Sequence, residues 1–185
     1  MATSEEAAAW HRLNRLMLSS RDFQQALSAA TFLYQDMDEA RSLPDWRRLR
    51  CYETNMVVAY ARPFSQAHGP VKRLSLSELG ADLNPEKEAL HQRLIDHRNR
   101  LHAHSDAEFV PMSVEVWGTP MPDDRLDFEF VMPKFEEGCG FTSMEVLRVQ
   151  ELCHKLLHAT VMATQSLKDR FGDRFKAVRL DCRVE

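Results

Sequence analysis

The chain has 185 residues, 44% of them hydrophobic and 28% charged, with a formal net charge of -4 at pH 7. This length and balance exclude a disordered or low-complexity chain and predict one globular domain over 1–185. The negative balance excludes a global positive field, so any contact with nucleic acid has to rest on a local basic patch.

Cys51, Cys139, Cys153 and Cys182 show no CxxC spacing, and the opening Met-Ala-Thr-Ser-Glu-Glu lacks the basic flank and apolar run of a secretory signal. Reduced thiols in a cytoplasmic protein are therefore expected. No apolar stretch nears the roughly 20 residues that span a bilayer, so no membrane partner is expected.

Residues 4 to 41 are rich in helix formers, and Ser19-Ser-Arg-Asp22 places cap-forming residues in their midst, which predicts two helices or one broken one. Phe23, Leu27, Ala30, Leu33 and Met37 then recur at helical spacing as one apolar stripe. Leu43-Pro44-Asp45 stops that helix and offers a new N-cap, and a second helix runs from Trp46 to Tyr60. Pro63, Gly69 and Pro70 make 61–70 a structured loop. Ser75-Leu-Ser-Glu78 caps a short turn, and Asn84-Pro85 is an N-cap followed by proline at the first helical position, launching a helix to about His104. Along it Leu90, Leu94, His97 and Leu101 share one stripe, with His91, Ile95, Arg98 and His102 on the next.

The period then changes from 3.6 to 2. Val110, Met112, Val114 and Val116 alternate with Pro111, Ser113 and Glu115, and Leu126, Phe128, Phe130 and Met132 form a similar run. An antiparallel hairpin with one buried face is predicted near 109–132. Thr142-Ser-Met-Glu145 is a capping box that opens a last long helix to about Phe171, and the tail 172–185 has no period and is expected to be loosely ordered.

Four of the eight histidines lie between His91 and His104, together with Arg93, Arg98 and Arg100 and a single acid, Asp96. Histidine takes and gives a proton near neutral pH, and the arginine fork matches phosphate oxygens, a pairing suited to phosphoryl chemistry without a metal. The same residues also suit a solvated helix end, where each cation complements the dipole by about 0.3–1 kcal/mol.

The run Arg98-Asn-Arg-Leu-His-Ala-His-Ser-Asp106 resembles the motif of the HEPN superfamily (higher eukaryotes and prokaryotes nucleotide-binding): an arginine, a polar residue, then a histidine a few residues on, with five intervening here. Tyr60-Ala-Arg-Pro-Phe64 and Ala103-His-Ser-Asp106 are similar to small prokaryotic members linked to phage defence. The resemblance implies a mainly α fold, a HEPN-like bundle of four to five helices, to which the hairpin is an addition that covers the cleft or widens a dimer interface. It implies a homodimer acting on RNA or a nucleotide as a toxin or defence effector, with no cofactor or metal and with a neutralising protein partner in prospect. His104 would assist attack of the RNA 2'-hydroxyl on the adjacent phosphate, Arg98 would hold that phosphate, and Asn99 would orient either the arginine or the substrate. Arg100, His102 and Arg62 would contact substrate. Many members keep the fold and only bind or assemble, so a non-catalytic homodimeric module is the alternative.

The motif carries a geometric condition. On an unbroken α-helix Arg98 and His104 would point about 120° apart, whereas Arg98 and His102 would lie about 40° apart. Either the helix ends or unwinds near residue 102, or His102 is the partner.

Other groupings are plainer. His154 and His158, with Glu151 a turn earlier, have the spacing of metal ligands or of a partly buried helix face. Cys153 reads as a small core residue. Trp46-Arg-Arg-Leu-Arg50 is either a phosphate contact or a solvated helix start. Arg62-Pro-Phe64 and His68 either fold over the motif helix, with Phe64 in the core and Arg62 near Arg98, or form a tight, anchored turn.

Overall fold

The computed structural model describes residues 4–66, 72–102, 112–118, 130–135 and 139–172. Its order is α1 (Ser4–Asp36), α2 (Leu43–Ala61), a 3-10 turn (Arg62–Phe64), α3 (Leu76–Leu79), α4 (Pro85–His97), a π turn (Arg98–His102), β1 (Met112–Trp117), β2 (Phe130–Phe135) and α5 (Ser143–Phe171). The fold is mainly helical with a two-stranded antiparallel hairpin between α4 and α5.

α1 is the spine, packing most extensively against α5 and α2, while α4 lies on α2 and touches α5. α1 and α5 run antiparallel: Arg170 pairs with Glu5 at 2.7 Å near one end, and Gln150 donates to the Ala30 carbonyl at 3.3 Å near the other. Leu16, Phe23, Ala26, Ala30 and Leu33 of α1 meet Leu49, Met56, Val57 and Tyr60 of α2 and Val149, Leu152, Cys153 and Leu156 of α5 in one core. Cys153 is buried there, and burial pushes its thiol up to about 12, so it packs as an inert hydrophobe.

The caps follow local chemistry. Ser75 with Glu78 and Thr142 with Glu145 form reciprocal capping boxes, and Asn84 accepts from the Lys87 N–H at 2.9 Å ahead of Pro85. α2 begins earlier than Trp46: Ser42 is its N-cap, boxed with Asp45, and Pro44 sits inside the first turn, where its missing N–H is no loss.

Two expectations are corrected. α1 is one unbroken helix through Ser19-Ser-Arg-Asp22. The apolar stripe continues on both sides of the serines, as Leu16 and Phe23, so tertiary burial outweighs their weak capping preference. The hairpin, in turn, does not bury one face. Its register pairs Val114 with Pro133, Val116 with Val131 and Trp117 with Phe130. Directly opposed residues share a face, so Phe130 and Met132 lie on the opposite side of the ribbon from Val114 and Val116. Both sides stay open, with Val114 60% and Phe130 56% exposed. Positions 110, 126 and 128, the loop residue His68 and the tail 173–185 lie outside the described residues.

The loop after α2 closes over α4. Phe64 is buried and meets the His91 ring edge-on at 4.6 Å, and Phe23 and Tyr60 complete the aromatic cluster. The Tyr60 hydroxyl shares a 2.8 Å hydrogen bond with His91 Nδ1, and burial lowers the histidine below its ordinary value. His91 is therefore a neutral core residue.

Ser19 is fully buried, and its hydroxyl has no hydrogen-bond partner among the described residues. Ser19→Ala should raise unfolding stability by about 0.5–1 kcal/mol in urea melts, because it removes an unsatisfied hydroxyl and improves helix propensity. A helix start at Ser19 would give the opposite sign, a loss of about 1 kcal/mol.

Candidate functional site

The motif begins where α4 stops. α-Helical bonding ends at His97, the Arg98 N–H is shared between the Leu94 and Ile95 carbonyls, and a π turn carries Arg98–His102. A π turn closes each hydrogen bond one residue further along the chain, so its residues leave the angular register of the helix before them. The regular α-helix thus ends at His97, and the motif runs on through the π turn to His102.

Arg98 is half-buried, and its Nη1 donates to Asn99 Oδ1 at 3.0 Å, joining the two motif residues. Arg100 lines an open cleft of about 570 Å³ with Ala89, Gln92, Arg93, Asp96 and His97. The side chains of Leu101 and His102 and the whole of His104 lie outside the described residues. Arg62 belongs to a different groove, of about 450 Å³, with Arg50, Cys51 and Thr54 on α2. It pairs with Asp22 of α1 at 3.4 Å, so the structure ties it to the α1–α2 face and gives it no recorded contact with Arg98. The basic start of α2 is also engaged, with Arg48 bridging Asp36 at 3.3 Å and Asp45 at 3.5 Å.

Behind the cleft lies a polar junction that joins three elements through Gly140. Its N–H donates to both carboxylate oxygens of Glu53 on α2, each at 3.1 Å, and its carbonyl accepts from Arg93 Nη2 of α4 at 2.7 Å. Arg93 also pairs with Glu145, the acid of the α5 capping box, and its guanidinium lies 4.5 Å from the centre of the Phe141 ring. The His97 ring packs on Phe141 at 5.0 Å. A β-carbon on Gly140 would stand 2.9 Å from Glu53 Oε1 and 3.3 Å from His97 Nε2, so the glycine serves close approach here.

Glu53 is only 2% exposed. Burial raises its carboxyl above the ordinary value, and the Gly140 N–H, Arg50 at 3.9 Å, Cys139 and Arg93 pull it back down. Cys139 is pushed up to about 12 by burial and by the neighbouring Glu53 charge, so its thiol stays protonated and poorly nucleophilic.

Glu53, Cys139 and Gly140 are additions to the expected set. Glu53 had a visible signal, since it interrupts the α2 stripe Leu49, Glu53, Met56, Tyr60 with a charge at a core position. Gly140 had no comparable one, because its role depends on two helices remote in sequence. His154 and His158 are exposed, Glu151 pairs with Lys87 at 3.1 Å, and no group of three or more metal-ligating side chains occurs among the described residues. Among those residues, too, no helix is long and apolar enough to cross a membrane. Comparison of the chain with protein-family models, curated proteins and solved structures gives no match.

Two outcomes test the junction. Gly140→Ala should lower stability by about 1–3 kcal/mol in denaturant melts, because the new methyl forces Glu53 or His97 to move in a packed setting. Glu53 binds its proton more tightly in the folded chain than in the unfolded one. It therefore favours folding at low pH and loses that contribution as pH rises from about 4.5 through the raised value. Melts of Glu53→Gln against the wild type across pH should show the difference moving in the variant's favour as pH rises. A pH-independent difference would rule out the raised carboxyl.

Proposed function

We propose that this chain is a HEPN-like protein acting on RNA or nucleotides, a metal-independent endoribonuclease of a toxin or defence system that works as a homodimer with paired motifs. The observation that carries the reading is the π turn at Arg98–His102, which takes the motif residues out of regular α-helical register. Beside it Asn99 braces the Arg98 guanidinium, and Arg100 faces a cleft wide enough for a phosphodiester.

In this reading a base at His104, or at His102, takes the proton of the 2'-hydroxyl as its oxygen attacks the adjacent phosphorus. The 5'-oxygen leaves, and Arg98 holds the phosphate as negative charge builds on it. Products end in cyclic phosphate. Arg98 and Arg100 supply local positive charge that the acidic chain lacks overall. A protein partner that covers the cleft would neutralise the activity.

A second reading, a non-catalytic homodimeric interaction module, is favoured by the hairpin, which exposes apolar side chains on both faces. Incubation of the purified full chain with mixed RNA in EDTA separates the two. Cleavage should fall about a hundredfold or more in Arg98→Ala and in whichever of His104→Ala and His102→Ala removes the base. Cleavage that survives both histidine changes sinks the assignment. A well-folded dimer with no cleavage favours the module.

A further inference from the structure

A second basic pocket lies on the first turns of α1. Ala8, His11, Arg12 and Arg15 fall at i, i+3, i+4 and i+7 on one helix face, and with Lys72 and Glu78 they enclose a cavity of about 280 Å³. Arg15 is its most buried wall, 7% exposed in all. Its Nε donates to the Lys72 carbonyl at 2.8 Å, while its Nη2 is buried with no hydrogen-bond partner among the described residues. The acid that acts on Arg15 through space is Asp22, whose carboxylate is already bonded to Arg62 at 3.4 Å. Arg12 is held in place by Glu78, through an ion pair at 3.4 Å and a bond to its backbone carbonyl at 3.0 Å.

A buried guanidinium with an unmet donor is expensive to maintain, and proteins keep such groups where a ligand completes them. Here three cations line the cavity against one carboxylate, an excess of two positive charges, with His11 as a further donor. That excess matches a dianion, and the guanidinium and ammonium groups suit phosphate oxygens. The volume, about 280 Å³, falls just below that of most small-molecule sites, which start at about 300 Å³, and so suits a small ligand.

We infer that this pocket binds a small phosphate dianion, either inorganic phosphate or the terminal phosphate of a mononucleotide, between Arg15, Arg12 and Lys72. The inference is independent of the function proposed for the Arg98–Asn99 motif. Calorimetric titration of the full chain with inorganic phosphate and with AMP, at ionic strength fixed with chloride, tests it. Saturable binding of phosphate is expected, and AMP binding at least as tight as phosphate identifies the nucleotide as the better source. Arg12→Ala combined with Lys72→Ala, both at the accessible side of the pocket, should weaken binding about tenfold or more. Arg15→Gln should remove it, and Arg98→Ala should leave it unchanged. The site is overturned if the wild type binds neither probe. It is equally overturned if binding is unaltered in the double variant, or if it is lost with Arg98→Ala, which would assign it to the motif. The double variant alone decides the matter if Arg15→Gln fails to fold.

Discussion

The arrangement around the motif depends on one backbone unit. Gly140 donates its N–H to a buried carboxylate on α2 and offers its carbonyl to an arginine on α4, two residues before the cap of α5. Three helices that contribute to different parts of the core are thereby set against one another at the point where α4 ends. Charged groups make both links, and such hydrogen bonds are stronger and more directional than neutral ones. Replacing a hydrogen by a methyl at this position brings contact distances below what packed atoms adopt, so close approach is what secures the geometry.

The buried polar groups fall into two kinds. Tyr60 and His91 satisfy each other inside an aromatic cluster, and the histidine, with its affinity for protons lowered by burial, packs as a neutral ring. Glu53 and Arg15 are different: each keeps ionisable chemistry beneath the surface, one behind the motif cleft and the other beneath a small cavity. Groups of the second kind oppose folding unless neighbours or ligands compensate them, which is why they mark the two places where chemistry is proposed. The eight histidines of the sequence therefore do not form one functional set. His91 is structural, His97 packs on Phe141 beside the junction, and His154 and His158 are exposed on α5.

The π turn and the hairpin differ in their support. The π turn still packs against α2, whereas the hairpin has no counterpart of the apolar stripe that keeps α1 straight through two serines. A two-stranded ribbon has little intrinsic stability in water, and this one pairs chiefly with itself. The hairpin is thus the least supported element of the described fold.

What the sequence determined by itself was local. Ser75 with Glu78, Asn84 with Pro85 and Thr142 with Glu145 announce their helices because caps and their partners lie within one turn, and α5 ends at Phe171 where its periodicity stops. The mainly helical class with a β-hairpin was legible for the same reason, since periods of 3.6 and 2 are read over a few residues. Arg98, Asn99 and Arg100 were visible as a cluster, and so was the condition that their helix must give way. Only tertiary structure decided the rest. Packing against two helices overrode Ser19 as a cap, and cross-strand register spread the apolar residues of β1 and β2 over both faces of the ribbon. The pairing of Arg62 with Asp22, the Glu53–Gly140–Arg93 junction and the Arg15 pocket each join residues dozens of positions apart. Their chemistry depends on burial and distance, which no local pattern encodes. Arg98–Asn99 thus stands as a motif whose residues are local, next to Arg100, whose cleft is a product of the fold.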